Sequence, residues 1–449
     1  MRGRLPFATL ALLAAVCASA FPSSLDFGSF LSNTTGVQST TSGPSLLQAD
    51  TAQLWMQAAL GDAFLINGRL GFSYSNLPPL VALDVDTLNL QATFPQPEAG
   101  VSLYQYTIGR SLLSDFSSRV LSQRVDGLSM MVGFPAASLS VAVAYTGLVL
   151  KPSSTIVLSR ADANDAAKPA VLFASPRLLA AAQLTFPAVF GQRIVFEAIA
   201  QEDMRDTVLD LASPQTVDLV KLGQTNQDSS LGGPVSTQYF GLELDGAIVS
   251  SLFYNIYGYL ETGQFLQYVG GSYQKVPILA YLGGIGLRYY APSVLFSTVS
   301  ATFILASGDA DATTVVEGNT AGSSGAFTPI TRSTVAYVFS PQLTNVMIGE
   351  VSYSLKPLAA IRASLADSLQ TQVVMDVFLR PTPGGVSQPG VVTGNMDLYL
   401  GTEVDLVVTA RPVSDIGLTL TGGVFMPGGA FGPSPAVQYK AGLEVSISI

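Results

Sequence analysis

Histidine is absent from the 449 residues, and the one cysteine, Cys17, lies near the start. These absences exclude disulfides, thiolate metal sites and any nucleophile activated by histidine, and with them most hydrolytic mechanisms. Charge is scarce too: 12% of residues are charged, about half the share in soluble domains, while 48% are hydrophobic. Long apolar runs are also missing. A helical membrane protein repeats runs of about 18 residues or more, and only Leu128 to Leu150 qualifies. That stretch is broken by Pro135, carries Ser138, Ser140 and Thr146, and alternates, so two strands around Phe134-Pro135-Ala136 are expected in place of a helix. A net charge of −10 gives no electrostatic attraction for nucleic acid.

What is present begins with Met1-Arg2-Gly3-Arg4, an apolar run from Leu5 to Val16, and Ala18-Ser19-Ala20. This is the order of a secretory signal peptide, with cleavage expected before Phe21; the run is too short for a membrane anchor. Val16 stands before Cys17 where lipid attachment needs a small residue. Removing Arg2 and Arg4 takes the net charge from −10 to −12 and leaves a chain with neither Cys nor His. Residues 21–50, rich in Ser, Thr and Gly, are expected to form a lead-in, with one short strand at most near Leu25–Phe30. Residues 51–449 form a single domain.

In that domain a period of two prevails. From Asp397 to Arg411 one face is Tyr399, Glu403, Asp405, Val407, Thr409 and Arg411, and the other is Leu398, Leu400, Val404, Leu406 and Val408. The last strand splits in the same way, with Tyr439, Leu443, Val445 and Ile447 opposite Gln438, Lys440, Glu444 and Ser446. A soluble sandwich also alternates, but it places Lys and Glu on its wet face and edges. Here the polar positions are mostly Ser, Thr, Gly and Asn. An exported chain with many strands of about 10 residues and one apolar face is expected to be all-β, a transmembrane antiparallel β-barrel of about 18 strands (16 to 20) with inward-folded loops, in the bacterial outer membrane. Short links are expected at 135–137, 188–190, near 250, at 291–294, 341–344 and 412–414, and near Ser368. Long ones are expected at 111–124, 150–177, 202–236, 264–276, 307–330, 381–395 and 427–436. A barrel this wide is not filled by its own wall side chains, which leads to a channel for polar solutes.

Alternation assigns Arg193, Glu243, Asp245, Arg288, Arg362, Arg380, Glu403, Asp405 and Arg411 to the lining of the lumen. The densest basic cluster, Arg110, Arg119 and Arg124 with Asp115 and Asp126, is either a pore constriction with a transverse field or a set of ion pairs that pins a loop to the wall. Glu403 and Asp405 share a face, as an acid and a base would, but a wet lumen does not separate their affinities for a proton. No catalytic or metal site and no cofactor is expected. Tyr254, Tyr257, Tyr259, Tyr289 and Tyr290 fit interfacial girdles better than stacking steps for sugars.

Tyr399-Leu400-Gly401-Thr402-Glu403-Val404-Asp405-Leu406, followed by Gly423-Val424-Phe425-Met426-Pro427-Gly428-Gly429, resembles the closing strands of alginate-export-type outer-membrane porins. Gly109-Arg110, Ser114-Asp115-Phe116, Asp126-Gly127 and Leu305-Ala306-Ser307-Gly308-Asp309 are similar to further segments of that family, in its order. Ala52-Gln53-Leu54-Trp55 and Ala144-Tyr145-Thr146-Gly147-Leu148 resemble porin-like outer-membrane proteins of spirochaetes. The resemblance implies a barrel of about 18 strands that carries polysaccharide or smaller solutes without a cofactor. Inward acids and bases nearly balance in number, unlike the arginine-lined pores of exporters of anionic polysaccharide. Three functions follow from these features: a passive channel for polar solutes, a dedicated polysaccharide exporter or importer, and an adhesin or structural barrel whose loops bind a partner. The expected partners are outer-membrane lipid, small polar solutes or oligosaccharides, and the assembly machinery of that membrane. Self-association as a homo-oligomer is left open.

Overall fold

The computed structural model describes residues 22–449 except 41–42, 78, 160–161, 163–165, 205–233, 270–271, 311–321, 360, 362–367, 389 and 393. The expected signal peptide lies outside the described residues. The strands are β1 (Ser24–Thr40), β2 (Gly43–Leu60), β3 (Phe64–Asn76), β4 (Pro79–Glu98), β5 (Val101–Ser114), β6 (Ser122–Gly133), β7 (Ser138–Tyr145), β8 (Arg177–Val189) and β9 (Gln192–Asp203). They continue with β10 (Val235–Val249), β11 (Leu252–Val269), β12 (Ser272–Ala291), β13 (Ser297–Ala306), β14 (Val346–Leu355), β15 (Gln370–Leu379), β16 (Tyr399–Val413), β17 (Ile416–Pro427) and β18 (Gln438–Ser448). Each pairs antiparallel with its neighbours in sequence, and β1 closes on β18 from Phe30↔Ser448 to Gln38↔Lys440, giving a closed 18-stranded barrel. Closure removes every sheet edge, the condition for a sheet to cross lipid.

The outward row is largely apolar, interrupted on β1 and β2 by Asn33, Thr35, Gln48 and Asp50, which bond one another in pairs. On β16, Leu406 is 45% exposed, while Glu403 on the opposite face is fully buried. On β2, Leu54 and Met56 point out and Trp55 and Gln57 point in. Turns at 61–63, 99–100, 190–191, 250–251 and 414–415 lie at one rim; the strand ends joined by longer connections, Tyr145 and Arg177, Asp203 and Val235, Ala306 and Val346, Leu379 and Tyr399, and Pro427 and Gln438, lie at the other.

Four expectations need correction. The Ser/Thr-rich segment placed before the barrel is wall: β1 and β2 pair over their whole length from Ser24↔Ala59 to Thr40↔Gly43. Its hydroxyls and amides alternate with Leu25, Phe27, Leu31 and Val37, which point out. The link expected at 341–344 is not a turn between strands, because 307–345 is one connection. The second strand expected within 359–380 is likewise absent among the described residues, and β15 alone lies there. The loop expected at 264–276 is not one over its described residues: 264–269 and 272–276 are the paired ends of β11 and β12, whose register runs to Val269↔Ser272.

The apolar core sits inside the barrel, between the wall and the connections folded into it. Phe339 of the 307–345 connection stacks on Phe425 of β17 at 4.3 Å and meets Phe378 of β15 edge-on at 5.0 Å. Val120, Leu121, Ile156, Phe327 and Ile330, all from connections, are buried with them.

Candidate functional site

The upper part of the β5–β6 hairpin leaves the wall. Residues 111–114 pair with 122–125 alone; pairing of β4 with β5 stops at Leu88↔Arg110 and that of β6 with β7 at Asp126↔Tyr145. The tip, 115–121, crosses the interior to the far wall. Phe116 stacks on Tyr259 of β11 at 4.7 Å, and the Tyr259 hydroxyl lies within hydrogen-bond distance, 2.8 Å, of a carboxyl oxygen of both Asp115 and Glu197 of β9. Asp115 holds the tip in shape, accepting the N–H groups of Ser117, Val120 and Leu121.

The 307–345 connection meets this tip from the other side. Thr331 N–H donates to the Val120 carbonyl at 3.0 Å, and Ser122 N–H donates to Thr331 Oγ1 at 2.7 Å. Wall carboxylates fasten the connection. Glu403 accepts the N–H of Val338 and of Phe339, each at 2.7 Å, and Glu261 accepts that of Thr328 at 2.7 Å. Lys440 of β18 lies over the ring of Tyr337 at 4.4 Å. Burial, and then the Asp405 carboxylate, push the Tyr337 phenol above its usual range.

The residues singled out by sequence divide accordingly. Asp115 and Arg119 are on the inserted tip, with Arg119 beside the Tyr257 hydroxyl. Arg110, Arg124 and Asp126 are on the stem of the hairpin and tie it to the rest of the molecule. Arg110 bonds Asp126 at 2.8 Å, Asp84 of β4 at 3.0 Å and the Leu148 carbonyl at 2.8 Å, while Arg124 pairs with Asp86 at 3.3 Å. Arg193 reaches Glu243 at 2.6 Å and Asp245 at 2.7 Å, as expected of facing lumen residues. Arg288 and Arg411 are exposed near the short-turn rim. Arg362 lies outside the described residues.

Three assignments to an open lining differ from the structure. Arg380 is fully buried and donates to the carbonyls of Gly384, Asn395 and Asp397, organising the 380–398 connection. Glu403 and Asp405 face the interior but are covered by the 307–345 connection. Alternation reports the face of a residue; it carries no signal of a loop arriving from elsewhere. Tyr254 and Tyr289 face outward as girdle residues do, whereas Tyr257 and Tyr259 lie buried inside under the hairpin tip.

On the opposite wall the interior is uncovered. A cavity of about 350 Å³ runs along β2–β6, lined by Trp55, Gln57, Asn67, Arg69, Thr87, Asn89, Gln91 and Thr107 among others. Gln57 donates to Asn67 and Asn67 to Asn89, both at 2.9 Å, across three strands in register. The hairpin tip carries Asp115 and Arg119 of the cluster picked out by sequence, but this wall did not stand out as a ligand-facing surface, because Gln and Asn at alternate positions are ordinary strand residues. Among the described residues no group of His, Cys, Asp or Glu has metal-site geometry.

Residues 222–440 match the alginate export family. The match covers the later strands that carried the resemblance and not the Gly109–Asp126 segment. Among solved structures the barrel is similar to Pseudomonas aeruginosa OccK8 (OprE), at 11% identity and a TM-score of 0.57, with 96% of this chain and 99% of that chain covered. It is also similar to P. aeruginosa OccK11 (OpdR), at 11% identity and a TM-score of 0.54, with 96% and 97% covered. P. aeruginosa OprD is similar at 9% identity and a TM-score of 0.54, with 96% and 97% covered. The sequence matches no curated protein. At such identities the likeness is one of fold, and the fold is a closed 18-stranded antiparallel β-barrel.

Proposed function

We propose that this barrel is a passive outer-membrane channel for polar solutes, narrowed by the tip at 115–121 and the connection at 307–345. The observation that carries the reading is the lopsided interior. Inserted segments fill the side of β9–β18, and a polar cavity remains along β2–β6. A structural barrel gains nothing from a hydrated slot of that kind, and an adhesin would place its specialised residues on outer loops.

Arg119 at the tip and the Arg110 and Arg124 pairs on the stem set the position and field of the constriction. The barrel is placed in the membrane by the outer-membrane assembly machinery. Single-channel recording in a planar bilayer tests the reading. The protein is expected to conduct, and changing Arg110, Arg119 and Arg124 together to Ala is expected to raise conductance and move selectivity toward cations, because Asp84, Asp86 and Asp126 lose their counter-charges. A folded barrel without conductance overturns the channel. Conductance and selectivity unchanged in the triple variant overturn the role given to the tip and leave the channel standing.

A further inference from the structure

The uncovered wall is regular. Two successive inward rows cross β2, β3 and β4: Trp55, Arg69 and Thr87 in one, Gln57, Asn67 and Asn89 in the next. Adjacent rungs are about 4.8 Å apart, the strand spacing. Gly28 of β1 makes room for the indole, since a Cβ there would stand 2.7 Å from Trp55 Cζ2. The ring is therefore held against the wall over β1, in the row next to the row of amides.

We propose that this surface is a saccharide-binding slot, which takes a neutral sugar with a pyranose face on Trp55 and its hydroxyls on the Gln57–Asn67–Asn89 ladder. The inference rests on the channel reading and names the class of solute it would carry. Each primary amide has two N–H donors and an oxygen with two lone pairs, and the ladder uses one donor of each. The remaining capacity of each amide is donor and acceptor at once, which is what a sugar hydroxyl offers in return. A simple ion would be better served by a ring of like charges, and Arg69 is the one charged side chain lining the cavity. An indole supplies an apolar face with little conformational freedom to lose. The volume, about 350 Å³, lies in the range of small-ligand sites.

Trp55 is the only tryptophan in the chain, so its fluorescence reports on the slot without a label. The test titrates the full protein in detergent with cellobiose, and separately with digalacturonate, in low and high potassium chloride. Cellobiose is expected to give a saturable change in Trp55 emission that is insensitive to salt. The variant carrying Asn67→Ala and Asn89→Ala, checked for heat-modifiable migration as evidence of a closed barrel, is expected to need roughly tenfold more sugar, the effect of losing one or two hydrogen bonds. If the channel conducts in a bilayer but Trp55 does not respond to cellobiose, or the variant responds as the parent does, the slot is overturned and the channel stands. A response to digalacturonate alone that disappears in high salt also overturns it, in favour of Arg69 acting as a simple anion site. A saturable cellobiose response from a barrel that does not conduct supports the slot and overturns the channel.

Discussion

Two walls of one barrel, built from the same alternating pattern, have opposite interiors. From β2 to β5 the side chains around the open cavity are mostly amides and hydroxyls, with Trp55 and the single charge of Arg69. From β9 to β17 they include Glu197, Glu261, Glu350, Asp376, Glu403 and Asp405, together with Phe378 and Phe425, under inserted chain. The difference follows from hydrogen-bond chemistry. An amide both donates and accepts, so Gln57, Asn67 and Asn89 satisfy one another along the register. An ionised carboxylate only accepts. Glu350, Asp376 and Glu403 stand side by side on three paired strands, and a row of carboxyl groups, each with at most one proton, has few donors to offer its members. Their donors must come from elsewhere, and the backbone N–H groups of the 307–345 connection supply them at Glu403, with Asp376 Oδ1 and Asp405 Oδ1 left unpartnered. A self-satisfied wall remains open to solvent and solute, and an acceptor-only wall recruits a loop.

The sharpest way to break this contrast is to remove the apolar half of the attachment. Phe339→Ala takes away the ring stacked on Phe425, and a cost of about 3–5 kcal/mol is expected if the cluster behaves as a protein core. Denaturant unfolding of the purified barrel measures it, and a cost below about 1 kcal/mol would show that the inserted connection is not packed as described. Next in size is a change on the outer face, which both walls share. Leu406→Arg should destabilise by about 2–4 kcal/mol near the midplane of the membrane, and Thr409→Arg on the inner face far less. Equal losses in lipid-reconstituted protein would reverse the assignment of faces. The smallest effect separates the two polar chemistries. Glu403→Ala removes two acceptors from buried N–H groups and should cost about 1.5–3 kcal/mol while raising single-channel conductance; Asn89→Ala removes one link of a hydrated ladder and should cost about 0.5–1.5 kcal/mol. Similar costs and similar conductance changes at the two sites would remove the distinction drawn between the walls.

Much of this architecture was legible beforehand, and the gaps have physical causes. The faces of β16 and β18 could be read because their apolar rows are long and uninterrupted. β1 could not, since Gly28, Ser32, Thr34, Gly36 and Gln38 fill most of its inner row while Asn33 and Thr35 interrupt its outer one, which leaves a composition that also describes a linker. Residues 331–340 alternate convincingly and still form no strand: they lie inside the barrel, where Glu403 satisfies the backbone of Val338 and Phe339 in place of a ladder. Glu403, Asp405 and Arg380 were recognised as inward, but the carbonyls that surround Arg380 come from residues up to 17 positions away with no periodic relation to it.

Local side-chain period thus determined the class of fold, the outward apolar belt and the antiparallel order, because in a strand each residue's face depends only on its parity and its immediate neighbours. Only the tertiary structure decided which inward groups meet solvent and which meet protein. That outcome depends on where the tip at 115–121 and the connection at 307–345 come to rest after the barrel closes. Contacts such as Phe116 with Tyr259, or Thr331 with Val120, join segments far apart in the chain through shape and unsatisfied hydrogen bonds, and neither property repeats along the sequence.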